Sequence, residues 1–311
     1  MNFAKIGTQS LVSLGFGASL SIILPIVIAL IWKFRKNEKI TTILAGAATF
    51  LLFVLILEKP IQNVIIFPAE MGLPDHAVSR YINARPVLWA LVAALFPGVF
   101  EETGRLVTYK TVLRKRKNRE TSVSHGIGHG GFESIILVGL TYISYISYAI
   151  MINTGTFQTL IEQTASQSQS QADALTALAG QIASLTIADI SVGLAERIIS
   201  IVFHIAASII VFYSCKNKSR FWLYPLAIVL HTAMDFVAAL YSAKVFAPPA
   251  FVIELICALF SALTFCGAYF LLYKKDVPAD IIPGAEENPE NHGEVRKPVI
   301  CVPEHEQSLT D

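Results

Sequence analysis

The stretch LVSLGFGASLSIILPIVIALIWKFRK, residues 11–36, decides the architecture, because an uncharged run from Leu11 to Trp32 is followed at once by basic side chains. A helix of about 20 apolar residues crosses about 30 Å of hydrocarbon. The run is too long for the apolar part of a cleavable signal peptide, and no A-x-A site follows it. We therefore predict an uncleaved first transmembrane span.

The composition of the whole chain has the same character. Of its 311 residues, 54% are hydrophobic and 15% are charged, with a mean hydropathy of +0.57. Soluble domains carry about 25% charged residues, so both a soluble globule and a disordered chain are excluded. The formal net charge is only +1, and no nucleic-acid partner is expected. The four cysteines form neither a CxxC motif nor a disulfide framework.

Apolar stretches of similar length recur along the chain and predict an all-α membrane helix bundle of about seven spans. The predicted spans are 10–32, 40–57, 87–109, 128–151, 187–213, 221–242 and 250–273. We predict one helix-bundle domain over 1–275, and within it a core over 87–242 that carries the motifs described below. The segment 276–311 is rich in Pro, Glu and Asn, which predicts a disordered cytoplasmic tail. The Gln/Ser/Ala-rich loop 155–184 has the composition of a short amphipathic helix.

Basic residues cluster after every second span, which fixes the predicted orientation. The four clusters are Lys33, Arg35, Lys36 and Lys39; Lys110, Arg114, Lys115, Arg116, Lys117 and Arg119; Lys216, Lys218 and Arg220; and Lys274 and Lys275. Cytoplasmic loops carry the excess of Lys and Arg. The N-terminus is therefore expected outside and the C-terminus in the cytoplasm of a multi-pass protein of the bacterial plasma membrane.

Ionisable residues lie inside four of the predicted spans, where each one is costly unless paired or hydrated. They form sets with helical spacing: Glu101, Glu102 and Arg105; His125, His129 and Glu133; Arg197 and His204; His231 and Asp235. At 1.5 Å per residue, one member of each set lies about 12 to 15 Å from the predicted cytoplasmic end of its span. We therefore predict one shared site in the cytoplasmic half of the membrane.

Some of these residues are expected to lie outside the shared site. His125 falls at the start of its predicted span, where a loop histidine at the headgroups is the simpler interpretation. Arg197, Glu196 and Glu254 are expected to face outward or to lie near the interface. Arg105 follows Glu101 by four residues and Glu102 by three, so it can pair with either carboxylate on one helix face.

The predicted cluster has the chemistry of a hydrolase. A buried glutamate holds a proton more tightly than one in water, so it can act as a base toward water near neutral pH. Histidines can position that water and donate to the oxyanion of a tetrahedral intermediate. The sequence contains no GxSxG and no HExxH motif, so serine nucleophiles and zincin-type centres are not indicated.

The order of four motifs on successive helices resembles a known family. These motifs are EETGR from Glu101 to Arg105, GFE ending at Glu133, FHIAAS around His204, and HTAMD from His231 to Asp235. Together they resemble the YhfC family of intramembrane proteases, which is grouped with the CAAX prenyl proteases, the PrsW proteases and the APH subunit of gamma-secretase. The resemblance covers about residues 87–242, and the motif order is more specific than any single motif.

The resemblance implies a role for each matched residue. Glu101 would be the general base, with Glu102 and Arg105 as its charge partners, and His204 would help to hold the water. His231 and Asp235 would form the oxyanion site, although the family pattern has Asn where this chain has Asp235. Phe132 and Glu133 match a phenylalanine–glutamate motif of the PrsW-like members, and His129 joins the same catalytic set.

The family has been described both as metalloproteases and as glutamate proteases. His129, His204, His231 and Glu101 have the side chains of a zinc shell with an open position. These residues lie on separate predicted helices, however, and Arg105 already supplies positive charge beside the carboxylates. The sequence therefore favours metal-free glutamate catalysis on a membrane-protein or lipidated-peptide substrate, with a zinc metalloprotease as the alternative.

Two non-proteolytic functions remain open. A non-catalytic scaffold like the APH subunit would use the same polar cluster to hold helices and partners together. A small transporter or a seven-span receptor is compatible with the predicted topology, although no pseudo-symmetric halves are visible.

Overall fold

The computed structural model describes residues 3–276, and these residues form helices and connecting turns without any strand. The α-helices are α1 (Thr8–Lys36), α2 (Ile40–Phe50), α3 (Lys59–Ile66), α4 (Ala77–Asn83), α5 (Pro86–Lys110), α6 (Glu120–Glu133), α7 (Leu140–Thr154), α8 (Phe157–Ala165), α9 (Gln169–Ser184), α10 (Ile187–Lys216), α11 (Leu223–Ser242) and α12 (Ala250–Ala268). The predicted disordered tail lies outside the described residues, apart from Asp276.

Seven helical stretches are long and apolar enough to cross a membrane, which confirms the predicted all-α architecture and number of spans. They are Thr8–Lys36, Ile40–Ile66, Pro86–Lys110, Glu120–Thr154, Ile187–Lys216, Lys218–Ser242 and Ala250–Tyr273. Two of them join separate α-helices through a π-helical segment, at Leu51–Glu58 and at Ser134–Gly139. Segments of this type occur frequently at functional sites.

Two predicted boundaries were wrong. The second span continues past residue 57 to Ile66, because the helix passes through the polar residues Glu58 and Lys59 with Glu58 completely buried. The fourth span begins at Glu120 rather than at residue 128, because the polar, glycine-rich row from Ser122 to Gly131 is helical and buried. Hydropathy alone misses such a row, since its residues are neither apolar nor exposed.

The basic segments meet at one end of the bundle. Arg116 donates to Thr41 over 2.7 Å, and Arg119 donates to the carbonyl of Asp276 over 2.8 Å. Lys216 also contacts the Asp276 carboxylate. We call this the basic end. The predicted orientation, which would place it in the cytoplasm, stays a prediction.

Close packing of α6 against its neighbours depends on glycine. A Cβ atom at Gly128 would overlap the carbonyl oxygen of Ile43 on α2, and one at Gly126 would overlap the backbone of Ile205 on α10. Small residues let helix backbones approach each other closely in membranes. The glycines thus allow α6 to insert between α2 and α10 and to carry its histidines into the interior.

The end of the bundle opposite the basic end is covered by α8 and α9, two helices in the loop for which a single amphipathic helix was predicted. Phe157 of α8 and Ile182 of α9 are buried together with Ile152 of α7. The backbone of Ile6 pairs with the Asn153 side chain over 2.7 and 2.9 Å. The start of α1 therefore lies at this end.

Candidate active site

Glu101 on α5 lies at the centre of a buried cluster formed by four helices. Its Oε2 lies 2.7 Å from Nε2 of His129 on α6. It also lies 3.7 Å from Nδ1 of His204 on α10 and 3.9 Å from Nε2 of His231 on α11. The structure therefore brings together the four residues that the sequence suggested as a zinc shell.

Arg105 connects this centre to a second carboxylate. Its guanidinium is completely buried, and Nη1 donates to Oε1 of Glu102 over 2.6 Å. Nη2 donates to Nδ1 of His204 over 2.6 Å and lies 3.5 Å from Oε2 of Glu101. Of the two predicted partners, Glu102 thus has the closer ion pair, while Glu101 stays within reach of the same charge.

The hydrogen bonds determine which ring nitrogen carries the proton in two histidines. An arginine N–H can only donate, so Nδ1 of His204 accepts from Arg105 and the proton lies on Nε2. An ionised carboxylate can only accept, so Nδ1–H of His231 donates to Glu102 over 2.6 Å. Nε2 of His231 is thereby directed toward Glu101 and toward Asp235, whose Oδ2 is 3.5 Å away.

Glu133 joins two residues of α10 that are two helical turns apart. Its Oε2 contacts Nε2 of His204, while its Oε1 accepts from Arg197 over 2.9 Å. Arg197 is only 8% exposed and also pairs with Glu196. Arg197 therefore belongs to the polar network, and the expectation that it faces outward was wrong. The i, i+7 spacing of Arg197 and His204 was the signal for a shared partner.

His125 is completely buried within α6 and does not lie in a loop, which corrects the expectation of a loop histidine. It lies 3.2 Å from Oγ1 of Thr49 and 3.2 Å from Oγ of Ser208. Ser208 also accepts from Nε of Arg105 over 3.3 Å. His125 therefore supports the cluster from the side of the basic end, without a described contact to Glu101.

Glu58 is a buried ionisable residue that the sequence did not reveal as part of the site. It is completely buried at the end of a π-helical segment, and neither carboxylate oxygen has a hydrogen-bond partner among the described residues. Lys59 Nζ lies 3.6 Å from Oε1. Glu101 and His231 are close enough to interact with Glu58 electrostatically. The predicted span ended one residue too early to include it.

A cavity of about 120 Å³ adjoins the cluster, and Glu101, His204 and His231 form part of its wall. Asp235 also lines it, with a side chain that is 37% exposed. The remaining wall comes mainly from the middle of α10, the second half of α11 and the first half of α12. The sequence placed the site near the basic end, whereas the cavity extends from the cluster toward the opposite end.

The donor set fits a metal ion. Glu101, His204 and His231 each offer one ligand atom, these atoms lie within 4.8 Å of one another, and all three residues are buried. Two histidines and a glutamate are a common ligand set of catalytic zinc. The Glu102 carboxylate behind His231 is the partner that metal-binding histidines usually have. The hydrogen bond from Arg105 to His204 would compete with a metal for the same nitrogen.

Comparisons with known proteins identify the family of the chain. The family described as YhfC intramembrane metalloprotease matches residues 20–257, which include all four motifs. The chain is 27% identical over 272 residues to the protein described as "Uncharacterized membrane protein YhfC" from Bacillus subtilis (strain 168), covering 88% of this chain and 99% of that protein. No solved structure matches.

The matched range contains five complete transmembrane helices, most of the first and the start of the seventh, together with every residue of the buried cluster. It also covers more than half of the chain. The chain is therefore a multi-pass membrane protein that belongs to the YhfC intramembrane metalloprotease family.

Proposed function

We propose that the chain is an endopeptidase that hydrolyses peptide bonds of membrane substrates at the Glu101 cluster. One observation carries the proposal: within the span region, one carboxylate oxygen lies within 4 Å of three histidines and an arginine, beside a cavity. Buried ionisable groups are costly in a membrane. A cluster of this kind on four helices is most simply explained by chemistry carried out inside the bundle.

In the form that the family description favours, Glu101, His204 and His231 would hold a metal ion. When bound, the metal would activate water and polarise the carbonyl of the scissile bond. Glu102 holds the His231 ring through its Nδ1–H and so presents Nε2 to the centre. Glu133 contacts the other ring nitrogen of His204, Nε2. Both carboxylates thereby orient ligands rather than contact substrate.

The remaining polar groups compensate charge or accept protons. Arg105 is fixed between Glu101 and Glu102 and compensates their negative charge in the low-dielectric interior. Asp235 lines the cavity 3.5 Å from Nε2 of His231. An ionised Asp235 cannot donate to an oxyanion, so we assign it the acceptance of a proton from water, in place of the oxyanion role that the resemblance implies.

Metal-free glutamate catalysis is the second candidate, and one contact favours it. Arg105 already donates to Nδ1 of His204 over 2.6 Å, so the His204 nitrogen that faces Glu101 is occupied. The guanidinium of Arg105 also gives the centre a fixed cation. In this case Glu101 takes the proton from water, supported by His129 at 2.7 Å. His231, protonated on both nitrogens, donates from Nε2 to the oxyanion.

The test combines elemental analysis of detergent-purified protein with proteolysis of a pool of labelled membrane proteins. Wild type, Glu101→Gln and the control Glu162→Gln, which alters an exposed glutamate on α8, are compared. Stoichiometric zinc that is lost together with activity on chelation supports the metalloprotease. Activity without metal that disappears only in Glu101→Gln supports the glutamate protease.

Failure of the proposal is equally measurable. If wild type and Glu101→Gln leave the same substrates intact, peptide hydrolysis at this cluster is refuted. A stable membrane-protein complex that dissociates in His204→Ala would then favour the scaffold, and ligand-dependent flux in proteoliposomes would favour a transporter.

A further inference from the structure

The cavity beside the cluster extends from Glu101 toward the end of the bundle opposite the basic end. On α10 its wall includes Arg197, which lies ten residues from the start of the helix at Ile187, and on α12 it includes Glu254, near the start at Ala250. On α11 it reaches Ala238, close to the helix end at Ser242. These helix ends all lie opposite the basic end.

Toward the basic end, the same helices form a hydrophobic core and, beside it, a second cavity of about 390 Å³, whose lining includes Ile210, Leu223 and Thr264 but no residue of the cavity beside Glu101. Tyr109 on α5 is 4% exposed, and Val211 and Phe212 on α10 are 0% and 4% exposed. They belong to one hydrophobic core that also includes Leu223 of α11 and Tyr273, which follows α12. A peptide that approached Glu101 from the basic end would have to pass this core, whereas the cavity beside the cluster reaches Glu101 from the other side.

The charge of the cavity wall is uneven. Arg197 is the single arginine or lysine among the lining residues, beside His204 and His231, and it is shared by the carboxylates of Glu133 and Glu196. Asp235 and Glu254 add two more carboxylates without an arginine or lysine of their own in the wall.

Two atoms of the wall lack the partners that they would need once water is removed. Oε2 of Glu254 is inaccessible and has no hydrogen-bond partner, and the same is true of Nε of Arg197, whose side chain is nine-tenths buried. Buried polar atoms are normally hydrogen-bonded, so Glu254 and Arg197, which both line the cavity, each keep the capacity for one further polar partner among the described residues or from a ligand. A cation suits the carboxylate, and a peptide carbonyl oxygen suits the arginine.

We propose that a substrate enters this cavity from the end opposite the basic loops and is selected by a Lys or Arg side chain next to its scissile bond. The inference rests on the proposed function, because it assigns the cavity to the same reaction. The cationic side chain would donate hydrogen bonds to the carboxylates of Glu254 and Asp235, which offset the loss of its hydration. The Arg197 Nε–H would hold a carbonyl oxygen of the substrate backbone.

The native Cys257 gives a probe of the cavity that does not require catalysis, because it lines the wall beside Glu254. Replacing the other three cysteines by serine leaves Cys257 as the single thiol. This variant, in sealed right-side-out and inside-out vesicles, is treated with membrane-impermeant methanethiosulfonates that carry either a trimethylammonium or a sulfonate group. A chain that retains only Cys266, which is exposed on α12 and outside the cavity, is the control.

We expect the cationic reagent to label Cys257 about tenfold faster than the anionic one, because clefts lined by one sign of charge concentrate the opposite ion. The preference should shrink in Glu254→Gln, remain in Glu101→Gln, and be absent at Cys266. Labelling should occur from the vesicle face opposite the basic loops. Equal rates for both reagents, labelling only from the basic face, or no labelling at all would each overturn the inference.

Cleavage sites mapped in the labelled substrate pool provide the second measurement. We expect Lys or Arg beside the scissile bond, with this enrichment reduced in Glu254→Gln. Cleavage without any basic-residue preference overturns the charge selection but leaves the proposed protease intact. Expected labelling without proteolysis would instead refute the proposed function, so the two failures are distinguishable.

Discussion

Arg105 on α5 donates a 2.6 Å hydrogen bond to Nδ1 of His204 on α10, although 99 residues separate the two in sequence. The same guanidinium pairs with Glu102, which in turn holds His231 of α11. Through Glu133, His204 is also linked to Arg197. One buried arginine thus lies in the middle of a chain of contacts that joins four helices and reaches the cavity.

Removing this charge is expected to destabilise the protein. Arg105→Gln leaves the completely buried Glu102 without its ion-pair partner, and breaking a buried pair costs about 3–5 kcal/mol. Arg105→Lys should recover only part of the loss, because one ammonium cannot bond Glu102, His204 and Ser208 in the same geometry. Thermal unfolding in detergent measures both. Arg114→Gln, at an exposed loop position, should change stability by less than about 0.5 kcal/mol.

The zinc content of histidine variants should distinguish metal ligands from histidines that only lie nearby. If Glu101, His204 and His231 hold zinc, His204→Ala and His231→Ala should each lower the zinc content of purified protein more than tenfold. His125→Gln should retain the metal, because His125 contacts Thr49 and Ser208 and not the donor set. Elemental analysis of protein that remains monodisperse is the measurement. Equal zinc loss in all three variants would contradict the assignment.

The packing of α6 can be tested at a single glycine. Gly128→Ala adds a Cβ atom where the backbone of Ile43 lies, and a backbone atom cannot rotate away as a side chain can. We expect destabilisation by about 1–3 kcal/mol, as for overpacking in a core. Gly267→Ala on α12 is the matched control, because nothing lies within 4 Å of its added Cβ. Similar unfolding temperatures for both variants would refute the close approach.

A substitution at Glu58 tests whether this residue serves activity or structural stability. In Glu58→Gln no described hydrogen bond is lost, because neither carboxylate oxygen has a partner, and its ion pair is with the half-exposed Lys59 at 3.6 Å. We therefore expect thermal stability at or above that of wild type. Proteolysis should fall, since Glu101 and His231 interact with the carboxyl group of Glu58. Destabilisation by more than about 1 kcal/mol would indicate that Glu58 is a structural residue.

The local sequence determined the helical class, the seven spans and the clustering of basic loops. Hydropathy and charge are properties of contiguous residues, so they can be seen without knowledge of the neighbours. The pairing of Arg105 with a glutamate on its own helix was predictable for the same reason, because three- and four-residue spacings define one helix face. Motif order along the chain indicated the family, which the match over residues 20–257 then supported.

Only the tertiary structure decided which faces meet. His125 and His129 share a helix face, yet only His129 contacts Glu101, because the tilt and depth of α6 between α2 and α10 bring one ring to the centre and leave the other beside Ser208. The burial of Arg197 and Glu58 follows from packing of distant helices in the same way. The cavity and its direction also arise between helices, where no single stretch of sequence carries the information.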